Sequence, residues 1–295
     1  MKRRDFVKYV TFGGVSILCG CSKEPAFANN DLMNNNPGLP PTKIALHMTQ
    51  NRVEGVTTVM ELLEYPSMEG KSVVLKPNFN TADPAPASTH NDTLSQIVKE
   101  INSRSASGIC LAERSYQSFN TVISTKGVDT LAQNLGFEIR DLNLDDYTVF
   151  NNEQLHWQNG FRLPQTIANA EYIVATCCLK THFIGIITMS LKLGVGILPA
   201  LHMQELHNSP IINSMIAEIN LAYKPDLIIM DGVDTFINGG PSSGTRVAGN
   251  IFVAGTDRIA VDAVGTAILK DLGSPRVGGK IFDLEQMHRP EAACR

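Results

Sequence analysis

Cysteine is scarce in this chain, with six in 295 residues. No two have Cys-x-x-Cys spacing, which excludes a self-contained zinc or iron–sulfur site built on cysteines, and their positions outline no disulfide framework. Cys110 sits in the apolar run 108–112 and reads as an inert core thiol. Cys177 and Cys178 are adjacent, so on a strand they point to opposite faces and at most one can face a site. A vicinal disulfide between them would need a strained local backbone. A basic excess is also missing: 25 Lys and Arg stand against 29 Asp and Glu, and nothing marks a nucleic-acid binder. No Gly-x-Gly-x-x-Gly fingerprint occurs, and the glycine-rich stretch 238–244 lacks the Gly-Lys-Ser/Thr ending of a Walker loop. Tryptophan occurs once, at Trp157, where it either lines a cleft or covers a core edge; we favour the core edge.

What is present begins with an address. Lys2-Arg3-Arg4-Asp5-Phe6-Val7-Lys8 is a twin-arginine pattern, which directs a folded chain to the twin-arginine translocase for export across a bacterial inner membrane. The mildly apolar segment 9–20 that follows is too short to span a membrane. It ends Leu18-Cys19-Gly20-Cys21, which looks like a lipoprotein cleavage box with Cys21 as the acylated residue and membrane anchor. We expect a signal over 1–21, a periplasmic or membrane-anchored protein, and an Asn- and Pro-rich tether over 22–41 that cannot bury a core. Cleavage removes Lys2, Arg3, Arg4, Lys8 and Asp5, leaving 21 basic and 28 acidic residues and a net charge of about −7. From Thr42 roughly 250 residues remain, enough for one large α/β domain or two lobes over 42–295.

Strand-like and helix-like segments then alternate. Residues 43–48, 71–76, 108–112 and 137–142 read as strands, and 53–63, 94–101 and 128–135 as helices with one apolar face. Tyr147–Phe150 fits a short edge strand. Further on, 211–221 reads as a helix, 226–230 as a buried strand, 250–254 as a last strand, and 259–268 as a helix capped by Thr256 or Asp257. This order predicts an α/β fold: an open, mainly parallel sheet with helices on both faces. In such sheets ligands collect at the carboxyl ends of strands.

The stretch 173–199 carries the strongest site signal. A buried apolar run breaks at Lys180-Thr181-His182, and on an extended chain Lys180 and His182 project to the same side. Lys192 then stands in another apolar segment, closed by Gly194 and Gly196. Buried cations need partners, so these residues mark an anion or cofactor site; the plain alternative is that the lysines reach solvent and His182 is a satisfied core histidine. The strand 226–230 delivers Asp231 at its end, ahead of a loop containing Gly240 and Pro241. That loop is either a nest of backbone N–H groups that cradles an anion or an ordinary turn. Asp262, near the start of the last helix, is either a site carboxylate or one stabilised by the helix dipole. His202 and His207 lie about 140° apart around a helix and make no zinc pair.

Val74-Leu75-Lys76-Pro77-Asn78, Leu179-Lys180-Thr181-His182, Ser190-Leu191-Lys192, Asp231-Gly232, Gly240-Pro241 and Gly255-Thr256-Asp257-Arg258-Ile259-Ala260-Val261-Asp262-Ala263 occur in the order seen in the domain of unknown function 362 family. The chain resembles that family over about residues 42–290. The ordered set is specific, although each motif alone is weak. The resemblance implies the fold and a shared pocket but supplies no reaction. Some members carry a ferredoxin-like cysteine module; this chain has none, so no self-contained iron–sulfur cluster is expected. Members usually continue past a helix like that expected over 281–293, so a truncated C-terminus is expected at Arg295.

Three functions are compatible with these residues. In the first, the protein binds an anionic ligand or cofactor through Lys180, His182, Lys192, Asp231, Gly240, Pro241 and Asp262 and serves as a redox accessory. Alternatively it is an enzyme with Lys180 or His182 as acid or base, oriented by Asp231. Or it is a tethered structural module whose motif residues only satisfy one another. An open cleft favours the first two, and a sealed charged cluster the third.

Overall fold

The computed structural model describes residues 15–19, 42–153 and 155–277. The expected acylation site, the tether and the expected helix over 281–293 lie outside the described residues. The strands are β1 (Val15–Cys19), β2 (Thr42–Met48), β3 (Ser72–Lys76), β4 (Gly108–Glu113), β5 (Glu138–Asp141), β6 (Tyr147–Phe150), β7 (Phe161–Pro164), β8 (Tyr172–His182), β9 (Ile186–Ile187), β10 (Leu227–Gly239), β11 (Gly244–Ala248) and β12 (Ile251–Gly255). The helices are α1 (Arg52–Leu62), α2 (Asn91–Ser103), α3 (Phe119–Lys126), α4 (Val128–Leu135), α5 (Gln165–Ala168), α6 (Ser190–Leu193), α7 (Ala200–Asn208), α8 (Ile212–Ala222) and α9 (Arg258–Asp271).

Ten strands form one sheet in the order β1-β2-β12-β10-β8-β3-β4-β5, with β11 attached to β10 and β9 to β8. From β10 through β8, β3 and β4 to β5 every pairing is parallel, whereas β12 runs antiparallel to both β10 and β2. The chain reverses in the four-residue turn 240–243 between β10 and β11, too short for a crossover helix, and it continues in that direction through Gly249 and Asn250 into β12, which is therefore antiparallel to β10 as well. The sheet is therefore the mainly parallel one expected, with β12 reversed within it and the short β9 and β11 attached antiparallel.

All eleven residues of β8 are buried, which is why its sequence is an unbroken apolar run up to Lys180. On one face Tyr172 and Val174 pack with Val56 and Val59 of α1 and with Leu94 and Ile97 of α2. On the other, Ala175, Cys177 and Leu179 pack with Val261, Val264 and Ile268 of α9. Helix ends follow local chemistry. The Asn51 side chain accepts from the backbone N–H groups of Val53 and Glu54 at the start of α1, and Asp257 does the same for Ile259 and Ala260 at α9. Trp157 is 2 % exposed and packs at a tilt against Phe161, so it belongs to the core.

One boundary differs from expectation in a way that matters. The strand expected to stop at Met230 continues to Gly239, with a bulge against β8 between Asp231 and Phe236. Asp231 is therefore an interior residue of β10 and not its carboxyl terminus.

Helix α1 lies so close to β12 that a Cβ on Gly55 would overlap the buried Phe252 ring. Alanine favours a helix over glycine by about 1 kcal/mol. Overpacking costs about 1–3 kcal/mol, and backbone opposite an aromatic ring leaves little room to relax. Gly55→Ala should therefore lower the thermal midpoint; an unchanged or raised midpoint in a melting experiment would contradict this packing.

Candidate functional site

Three neighbouring parallel strands, β8, β3 and β4, end in His182, Lys76 and Glu113. Side chains that follow adjacent buried strands converge, and a cavity of about 810 Å³ lies against this edge. His182, Lys76, Glu113, Arg114 and Lys192 contribute to its lining, together with the turn Gly240-Pro241-Ser242-Ser243.

Lys76 and Glu113 form a buried ion pair of 2.7 Å at the floor. Lys76 Nζ also donates to the Pro77 carbonyl, and Glu113 accepts from the backbone N–H groups of Phe79 and Arg114. Burial pulls the lysine pKa down and pushes the glutamate pKa up, each opposed by the charge of the other. Gly196 approaches this pair closely: a Cβ there would lie 2.9 Å from Lys76 Nζ.

The sequence candidates divide. His182, Lys192, Gly240 and Pro241 line the cavity. His182 Nδ1 accepts from the backbone N–H groups of Ile184 and Gly185, which leaves the ring proton on Nε2 in the neutral form. Lys180 lies behind the wall. Its Nζ donates to the carbonyls of Ala87 at 2.5 Å and Pro241 at 3.1 Å, tying two loops together. Gly240 packs against the backbone of Thr181 with φ of 76°, so the turn follows β8 closely and only glycine fits.

Two carboxylates expected in the site are elsewhere. Asp231 is held by Arg52 Nε at 2.9 Å, Thr93 Oγ1 at 2.7 Å and the Val233 N–H at 3.0 Å, and does not line the cavity. Because β10 runs on beyond it, its side chain meets α1 and α2 in mid-sheet. Asp262 accepts from the backbone N–H groups of Ser190 and Leu191 at 2.7 and 2.9 Å. It caps the turn that carries Lys192, and burial pushes its pKa up to about 7. Cys177 and Cys178 are free, buried thiols whose pKa values burial raises, and neither lines the cavity.

Lys76, Glu113 and Arg114 are cavity residues that the sequence patterns did not single out. Lys76 closes the expected strand 71–76 and Glu113-Arg114 follows the expected strand 108–112, so the strand-end position that marks Lys180 marks them too.

Several groups around the cavity have unmet demands. Among the described residues, Lys192 has no hydrogen-bond or ion-pair partner; burial and the nearby Lys180 charge bring its pKa down to about 8. Arg114 Nε, Asn78 Oδ1 and Thr188 Oγ1 are buried without a hydrogen-bond partner, and all three residues line the same cavity. The lining holds three Lys or Arg side chains, Lys76, Arg114 and Lys192, against two carboxylates, Asp83 and Glu113. No group of three or more His, Cys, Asp or Glu is placed to hold a metal ion among the described residues. No described helix is long and apolar enough to cross a membrane.

Residues 73–267 match the profile of the family described as domain of unknown function, DUF362. The chain belongs to the DUF362 family. The matched range contains all the cavity residues discussed above. No curated protein sequence matches the chain. Among solved structures, the lactate racemase apoprotein from Thermoanaerobacterium thermosaccharolyticum is similar, with a TM-score of 0.53 and 15 % identity. The match covers 78 % of this chain and 57 % of the racemase, so the chain spans little more than half of that protein. At that identity the likeness is one of fold.

The position of Asp231 has a measurable consequence. Asp231→Ala leaves the part-buried Arg52 with Asp234 alone and removes the acceptor of Thr93 and the Val233 N–H, at a cost on the order of 2 kcal/mol in stability. Chemical denaturation should register that loss, while binding of small oxyanions in the cavity should be unchanged; lost binding at full stability would return Asp231 to the site.

Proposed function

We propose that this DUF362 protein binds an anionic small molecule or cofactor in the cavity at the carboxyl ends of β8, β3 and β4. The carrying observation is Lys192, a part-buried lysine that lines the cavity and has no hydrogen-bond or ion-pair partner among the described residues. A part-desolvated cation without a counter-charge is a favourable place for an anion to bind. Arg114 Nε, Asn78 Oδ1 and Thr188 Oγ1 add donors and acceptors of fixed position. Lys180 acts on this site indirectly, by fixing the Gly240-Pro241 turn, and Asp262 by holding the start of α6.

A charged lysine is what holds the anion, so the pH dependence follows from its lowered pKa. Below about pH 8 Lys192 is protonated and binding is strongest; as pH rises through about 8 the charge is lost and affinity falls. Titration calorimetry with inorganic phosphate and with L-lactate covers the two common oxyanion classes. Wild type should bind at least one at pH 7 and lose it by pH 9, Lys192→Ala should not bind, and Lys192→Arg should retain binding at pH 9. Absence of binding by either anion would overturn the reading.

A second reading is favoured by two proton-transfer groups in one cavity, His182 and Lys192 with its pKa near neutrality. The similar structure is named a lactate racemase apoprotein, and this reading takes from it the expectation of a small hydroxy-acid substrate. In this reading Lys192 replaces Lys180 as the partner of His182, because both contacts of Lys180 Nζ go to backbone carbonyls.

We further propose export by the twin-arginine route and lipid attachment at Cys21, on the strength of the pattern at residues 2–8 and the box ending at Cys21. Replacing Arg3 and Arg4 with lysines should hold the precursor in the cytoplasm, and Cys21→Ala should abolish membrane recovery. Normal processing of the double lysine variant in a fractionation experiment would defeat this assignment.

A further inference from the structure

The cavity has a second character that an anion alone does not use. Leu193, Val195, Ala200 and Met203 line it alongside the charged groups, and two aromatic residues of its lining, Phe183 and Tyr116, are 61 % and 80 % exposed. Single exposed apolar side chains are ordinary, but Tyr116, Phe183 and Ile184 gather at the lining of one cavity, and a grouped apolar surface at a cavity is what a ligand covers. They line the same cavity as the buried Arg114 and the part-buried Lys192.

Phe183 is held in place. It follows β8 directly, and its ring stacks on that of His182 with centroids 5.1 Å apart and planes 11° from parallel. The turn that carries it is fixed from both sides. His182 Nδ1 accepts from Ile184 and Gly185, and Arg276 donates to the carbonyls of His182 and Phe183. Ile186, which closes the turn against β8, has φ of 64°, a conformation that a β-branched residue rarely adopts. A strained, hydrogen-bonded turn that presents an exposed aromatic ring beside a cavity has the form of a clamp.

We infer that the ligand is an amphipathic anion: an oxyanion head, carboxylate or phosphate, seated at Lys192 and Arg114, joined to a flat apolar body that lies against Phe183 and Tyr116. This rests on the anion-site reading above and narrows it. A cavity of about 810 Å³ is of the size that holds a drug-sized molecule, and a three-carbon acid would leave most of it filled with water. Aromatic faces at the mouth favour a planar partner, because offset stacking adds to the gain from apolar burial.

Matched probe pairs test it: phenylacetate against acetate and phenyl phosphate against inorganic phosphate, by titration calorimetry on the intact protein. The aryl member of at least one pair should bind about tenfold more tightly than its small counterpart, the scale expected of one or two aromatic contacts. Tyr116→Ala combined with Phe183→Ala changes only exposed side chains and should erase that preference while leaving the small oxyanion unaffected. Equal affinity within both pairs would overturn the amphipathic ligand and leave the anion site standing. An aryl preference that survives the double substitution would equally overturn the clamp. If no probe binds, both the anion site and this inference fail.

Discussion

A lysine and a glutamate buried against each other at the ends of β3 and β4 set the conditions for everything at this edge of the molecule. Neither charge tolerates that position alone, since removing one partner of a buried pair leaves the other uncompensated. Lys76 and Glu113 are satisfied by each other and by three backbone groups, and the contacts with Phe79 and Pro77 draw the chain after β3 over the strand ends. The segment bearing Gly196 can close over the pair only because glycine presents no side chain. The floor is thereby fixed, and the remaining charges are arranged around it.

Against that satisfied pair, the treatment of the other cations is selective. Arg52 is neutralised by Asp231 and Asp234, and Lys180 is spent on two carbonyls. Arg258 donates to the carbonyls of Asn220 and Tyr223. Lys192 has none of this, and the Arg114 Nε is likewise without a partner. Among the described residues these two groups without partners line one cavity, which is the observation behind the proposed anion site.

The acids expected beside the lysines act at a distance. Asp262 holds the first N–H groups of α6, and so orients the turn that carries Lys192. Asp231 locks α1 and α2 to the middle of β10. Both stand in the family's ordered motifs, and their structures explain them as supports for the site and not as parts of it.

Local periodicity was enough to determine the α/β class, the parallel core and most element positions, because alternation, capping groups and buried runs act over a few residues. It also marked His182, Lys192 and the Gly240-Pro241 turn, and the same strand-end rule reaches Lys76 and Glu113 once applied to every strand. Which charges cancel was decided only by the tertiary structure. Lys76 meets Glu113 across 37 positions, Lys180 meets the Ala87 carbonyl across 93, and Arg52 meets Asp231 across 179. Sequence spacing carries no information about such encounters. They depend on the strand order β10-β8-β3-β4 and on how far β10 continues before it turns. Those two facts separate Lys180, which braces a wall, from Lys192, which lines the cavity without a partner among the described residues.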